Sequence, residues 1–122
     1  MKLKNNLYIE VDTDKESQTV SIELLRDCII YKAHFPEQPV TPGVCIISMA
    51  TELLETLSGM SLSLTEVLNA KFLAVINPDV TKSLSYSFPK TTSLPDNRIK
   101  VSVIVANKTT VFAKLSLVYE LK

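Results

Sequence analysis

The chain has 122 residues, 46% of them hydrophobic, and thirteen basic residues balance thirteen acidic ones. That suffices for one domain with a real core, is too short for two ordinary ones, and argues against disorder. A net charge of zero without a dense Lys/Arg run argues against holding nucleic acid through its phosphates, and no apolar run approaches the about 18 residues of a membrane helix. Met1-Lys2-Leu3-Lys4 has the basic start of a signal peptide with no apolar stretch behind it, so a cytosolic protein is expected.

In chain order, Leu7–Val11 and Thr19–Leu24 alternate around a polar turn, Asp12 to Gln18, and predict a hairpin. Cys28 and Cys45 are the only thiols and His34 the only histidine. Two isolated cysteines make neither a disulfide framework nor a zinc site, and free cysteines are often inert core residues. A histidine-rich metal centre is excluded, no cofactor is expected, and imidazole acid–base chemistry has one address. From His34 the chain reads His-Phe-Pro-Glu-Gln-Pro-Val-Thr-Pro-Gly-Val, with prolines at 36, 39 and 42 imposing a stiff, extended path.

That path leads into the one convincing helix, bracketed by the only two glycines, Gly43 and Gly59. Thr41 suits the N-cap and Pro42 the first helical position. Val44, Ile47, Leu54 and Leu57 recur at helical spacing, Ile46, Ala50 and Leu53 widen the stripe, and Ser48, Glu52 and Glu55 form a polar flank. Gly59 sits where a helix commonly ends left-handed. A strand follows over Ser63–Ile76, then a turn at Asn77-Pro78-Asp79. Next come an alternating strand over Ser83–Phe88, a loop over Pro89–Asn97, and two alternating strands over Ile99–Val105 and Val111–Leu121 joined at Asn107-Lys108-Thr109.

This pattern is α+β. A mostly apolar single helix needs a curved sheet around it to bury its surface, which describes a hot-dog fold occupying residues 1–122 as one domain. Exposed amides at the helix start favour negative charge, and Gly43 admits a ligand close to the main chain. A histidine held beside such a site by stiff backbone can remove a proton while the amides hold the developing oxyanion. The bland alternative is a rigid connection into the helix.

His34-Phe35-Pro36-x-x-Pro39-x-x-Pro42-Gly43-Val44 resembles the signature of the bacterial β-hydroxyacyl-(acyl carrier protein) dehydratases, hot-dog enzymes of fatty-acid synthesis. Leu68-Asn69-Ala70-Lys71-Phe72 with Ile76-Asn77-Pro78-Asp79, and Phe112-Ala113-Lys114-Leu115, are similar to further strands of that family. The resemblance implies a hydro-lyase acting on a 3-hydroxyacyl thioester of acyl carrier protein or CoA, in fatty-acid or polyene and polyketide-type synthesis. His34 falls on the catalytic histidine, Gly43 with Val44 on the thioester-binding amides, and Phe35 and Pro36 on substrate-binding positions. It also implies a homodimer or larger even oligomer, with an acidic helix residue contributed across the dimer.

The position of that acid, fourteen residues after His34, holds Ser48. Glu52 lies one turn further, about 6 Å along the axis and on nearly the same face, and is the candidate replacement. Its bland reading is a solvated or carrier-facing residue. Two readings follow: a divergent dehydratase using His34 with Glu52 or a water on Ser48, or a non-catalytic or half-site subunit that binds acyl chains or forms a heterodimer with another hot-dog subunit. An acyl thioesterase is a weaker third.

Overall fold

The computed structural model describes residues 2–33 and 37–122. Among them, six strands form one antiparallel sheet in the order β1-β2-β4-β5-β6-β3. β1 (Tyr8–Asp14) and β2 (Thr19–Leu24) pair as the expected hairpin. The Asp14 carboxylate accepts the Glu16 and Ser17 amides at its turn. A short helix, α1 (Ile29–Ala33), follows and was not foreseen. It is anchored by Tyr31, whose side chain is fully buried.

The long helix α2 runs Gly43–Ser58. Ile46, Met49, Ala50, Leu53, Leu54 and Leu57 form its buried stripe, which packs on the inner face of the sheet with Val101, Val103 and Leu117. The Tyr86 hydroxyl donates to the Ile46 carbonyl at 3.0 Å, tying sheet to helix. Gly59 ends the helix in the left-handed region, φ 72°, its amide donating to the Glu55 carbonyl. The N-terminal expectation needs correction. Pro42, not Thr41, is the N-cap, extended at φ −62° and ψ 145°. Thr41 stands one residue too early to reach the first-turn amides, and its buried hydroxyl instead shares a 2.8 Å hydrogen bond with Tyr31.

After α2 the chain crosses to the far edge. β3 (Leu62–Phe72) pairs only with β6 (Val111–Leu121), so it closes the sheet opposite β1. It ends four residues before the expected Ile76 because the Leu73 and Ala74 amides both turn onto the Phe112 carbonyl. Residues 73–82 then cross back to β4 (Ser83–Leu94). β4 continues through the expected loop, since Pro89 falls at a register shift between Ser87 and Lys90, where a bulge asks for no amide donor. Asp96 and Asn97, both at positive φ (64° and 60°), turn the chain into β5 (Arg98–Ala106). No helix among the described residues is long and apolar enough to cross a membrane.

All four tyrosines are fully buried. Burial is the main reason that Tyr31 and Tyr119 are pushed up to about 12, and it also raises Tyr8 and Tyr86. A group whose folded pKa exceeds its unfolded value contributes stability that is complete below the unfolded value and is lost as pH rises toward the folded one. The protein should therefore unfold between pH 10 and about 12. Phenolate absorbance should rise together with the loss of circular dichroism; tyrosines titrating near their ordinary value in a folded protein would contradict this.

Candidate functional site

The start of α2 has amides to offer. Pro42 has no side chain to cap with, and no side-chain cap bond is made there. The first helical amides that turn back within the chain are those of Cys45 and Ile46, both to the Pro42 carbonyl. Ahead of them lie Gly43 and Val44, and Val44 is 71% exposed.

A cleft of about 280 Å³ opens at this point, between Thr41, Gly43 and Ile46 on one side and Phe72 to Ile76 on the other. Its two walls are tied where the Thr41 amide donates to the Ile76 carbonyl at 2.9 Å. The Phe72 ring lies against Gly43: a Cβ added there would stand 3.0 Å from Cζ and 3.2 Å from Cε2. Glycine is thus required for the ring to lie as it does. Phe72 is itself 48% exposed, at the end of an edge strand. A larger hollow of about 720 Å³ lies elsewhere, between Asn5, Leu24–Ile29 and Lys82. None of the described motif residues, 37–44, lines it.

The polar flank of α2 divides. At 100° per residue, Ser48 points directly away from the buried stripe. To one side, the Thr51 hydroxyl meets that of Tyr119 at 3.0 Å and the Glu55 carboxylate accepts the Leu62 amide at 2.9 Å. To the other, the Glu52 carboxylate accepts the Leu3 amide at 2.8 Å, the Lys4 amide at 2.9 Å and the Tyr8 hydroxyl at 2.9 Å. Glu52 therefore pins the N-terminal segment to the helix. Burial, reinforced by this carboxylate, raises the Tyr8 phenol well above its ordinary value. Glu52→Ala would strand buried donors, at a cost on the order of 3 kcal/mol. Glu52→Gln, which keeps one acceptor, should cost less, and denaturant melts of both variants check the order.

His34, Phe35 and Pro36 lie outside the described residues. Of the other sequence-derived candidates, Gly43 and Val44 meet at the cleft's rim, Ser48 faces outward, and Glu52 is turned toward β1. Burial raises the Cys45 thiol above its ordinary value, with Cys28 beside it adding to the shift, as suits an inert thiol. Sequence reasoning placed no special weight on Phe72 or Tyr31. Phe72 falls within a predicted strand, but nothing local announces its contact with Gly43.

The family model of the ApeI-like proteins, described as ApeI dehydratase, matches residues 10–114. No curated protein matches the chain significantly. Among solved structures, the chain is similar to the dehydratase heterocomplex ApeI:P from Xenorhabdus doucetiae, at 18% identity and a TM-score of 0.68 over 92% of this chain and 96% of that one. It is similar to a sigma28-regulated virulence protein from Campylobacter jejuni, at 10% identity and a TM-score of 0.71 over 99% and 88%. A hypothetical thioesterase protein with coenzyme A from Streptococcus pneumoniae aligns at 7% identity and a TM-score of 0.62 over 94% and 85%. At these identities the structural likenesses speak for the hot-dog fold.

Proposed function

Since this chain belongs to the ApeI-like dehydratase family, we propose that it takes water out of a 3-hydroxyacyl thioester. The observation carrying this reading is the start of α2, with no side-chain cap, opening on a cleft beside Gly43. The thioester carbonyl sits at the Gly43 and Val44 amides, which hold the negative charge that develops on its oxygen. His34 takes the α-proton, the bond from the β-carbon to its hydroxyl breaks, and the hydroxyl leaves as water once protonated. The product is the α,β-unsaturated thioester. Neither a metal nor an organic cofactor enters these steps.

The second proton transfer needs an acid, and here the chain is short of one. Ser48 supplies none near neutrality, and the Glu52 carboxylate already serves three donors. A second reading is favoured by this arrangement: the site is completed by another hot-dog subunit that brings the acid. The inner face of β3 carries Leu64, Val67 and Phe72, apolar yet 39%, 45% and 48% exposed. An edge strand with an uncovered apolar face invites another chain. The similarity to a dehydratase heterocomplex points the same way.

The test is to incubate the purified chain with a 3-hydroxyacyl thioester and follow the loss of one water by mass, alone and mixed with a second hot-dog subunit. Sedimentation at micromolar concentration is run in parallel. Turnover by a dimer supports the first reading, and turnover only in the mixture supports the second. A monomer inactive in both would overturn both.

A further inference from the structure

Thr41, the residue ahead of the Pro42 cap, is held from both sides. Its amide donates to the Ile76 carbonyl at 2.9 Å, and its hydroxyl shares a 2.8 Å hydrogen bond with that of Tyr31. Both residues are buried, Thr41 to 3% exposure. The two anchors are themselves joined. Tyr31 rides on α1, whose entry is turned by the Cys28 amide onto the Leu25 carbonyl and the Tyr31 amide onto the Cys28 carbonyl. Arg26, in that turn, pairs with Asp79 at 2.5 Å, and Asp79 belongs to the same crossing segment as Ile76. The Asn77 side chain stiffens that segment by accepting the Asp79 amide at 2.8 Å. Thr41 therefore closes a loop of contacts that runs from Ile76 through Asp79 and Arg26 to Tyr31 and back.

The place of Thr41 is passed on to the helix start. The Pro42 ring locks its own φ and keeps the residue before it extended. Few soft torsions therefore separate Thr41 from Gly43, which is at most about 7 Å away along the chain. Burial alone does not account for the hydroxyls: valine at 41 and phenylalanine at 31 would fill nearly the same space, whereas a hydrogen bond adds direction. We infer that Tyr31 is a positioning residue, which through Thr41 sets the direction of the Gly43 and Val44 amides toward the cleft. This role rests on the reading of those amides as oxyanion donors to a thioester, and it places part of the site's geometry in a side chain that touches no substrate. An oxyanion donor acts only within a narrow range of distances, so displaced amides lower kcat more than they weaken substrate binding. The molecule carries its own control. Tyr119 and Thr51 form a second tyrosine–threonine hydroxyl pair at 3.0 Å, about two turns further along α2 than Gly43.

Glycine-selective 15N labelling of the whole chain gives two backbone amide signals, because Gly43 and Gly59 are its only glycines. In Tyr31→Phe the Gly43 signal should move and broaden, while that of Gly59, at the far end of α2, stays in place. Tyr119→Phe, which removes the matched hydroxyl, should leave Gly43 where it was. In whichever preparation turns over a 3-hydroxyacyl pantetheine thioester, Tyr31→Phe should lower kcat about tenfold with KM nearly unchanged, and Tyr119→Phe should alter neither. Tyr31→Phe/Thr41→Val leaves neither hydroxyl of the pair behind, so it should recover the melting temperature lost in Tyr31→Phe without recovering kcat or the Gly43 signal. Thr41→Ser, which keeps the hydroxyl, should retain both. A structural role alone would move the melting temperature and not kcat. A Gly43 signal unmoved by Tyr31→Phe, an equal displacement by Tyr119→Phe, an unchanged kcat, or a kcat recovered in the double variant would overturn the inference. A wild type without turnover, alone or mixed with a second hot-dog subunit, whose Gly43 signal still answers to Tyr31 would uphold the positioning and count against the thioester reading alone.

Discussion

Ser48→Glu should raise the rate of dehydration of a 3-hydroxyacyl thioester by two or more powers of ten, the usual contribution of a positioned general acid. The physical reason lies in where α2 presents residue 48. It is opposite the buried stripe, so a carboxylate there enters no core and meets whatever packs on the helix's outer face. The substitution also suits the helix, because glutamate forms helix better than serine. The gain should vanish in Ser48→Glu combined with His34→Ala, since acid and base act on one substrate. Glu52→Gln is the control. Its three donors make it a clasp on the N-terminal segment, so it should lower the melting temperature and leave turnover unchanged. A large loss of turnover on Glu52→Gln would instead make Glu52 the acid.

Gly43→Val should cut thioester processing by a factor of about 10² to 10³, the usual value of an oxyanion donor, in a protein that still folds. Two effects coincide at this residue. The new Cβ meets the Phe72 ring at 3.0 Å, and the branched side chain fills the approach to the amide. The ring is half-exposed on an edge strand and can move aside, so the fold survives while the approach stays blocked. Phe72→Ala separates the two. It should relieve the crowding in Gly43→Val, recovering melting temperature, without recovering turnover. Pro42→Ala should matter far less, because it changes stiffness and not the donor. Unchanged turnover in a folded Gly43→Val protein would make the helix start purely structural.

Local patterns made much of this legible. The stripe from Ile46 to Leu57 and the glycine at 59 defined α2, and alternation defined the cores of five strands. What escaped depended on long-range partners. Pro89 reads as a break, and only the bulge against β5 lets β4 run through it. Thr41 has the chemistry of a cap, but the chain hands that place to Pro42 and buries the Thr41 hydroxyl on Tyr31. Nothing near Glu52 in sequence announces that its acceptors belong to Leu3 and Lys4, nearly fifty residues earlier. The same holds for the site. Gly43 and Val44 were marked by the motif, whereas Phe72 reaches Gly43 only because β3 crosses to the far edge and ends beside the helix start.

The most direct measurement is complementation between two inactive or weakly active chains. One is the wild type, which has His34 and lacks the acid; the other is the double variant His34→Ala/Ser48→Glu, which has the acid and lacks the base. A site shared between subunits predicts dehydration of a 3-hydroxyacyl thioester by the mixture well above the sum of the two alone, with the excess following the fraction of mixed dimer. A mixture no more active than its parts, with mixed dimers demonstrably formed, would contradict it.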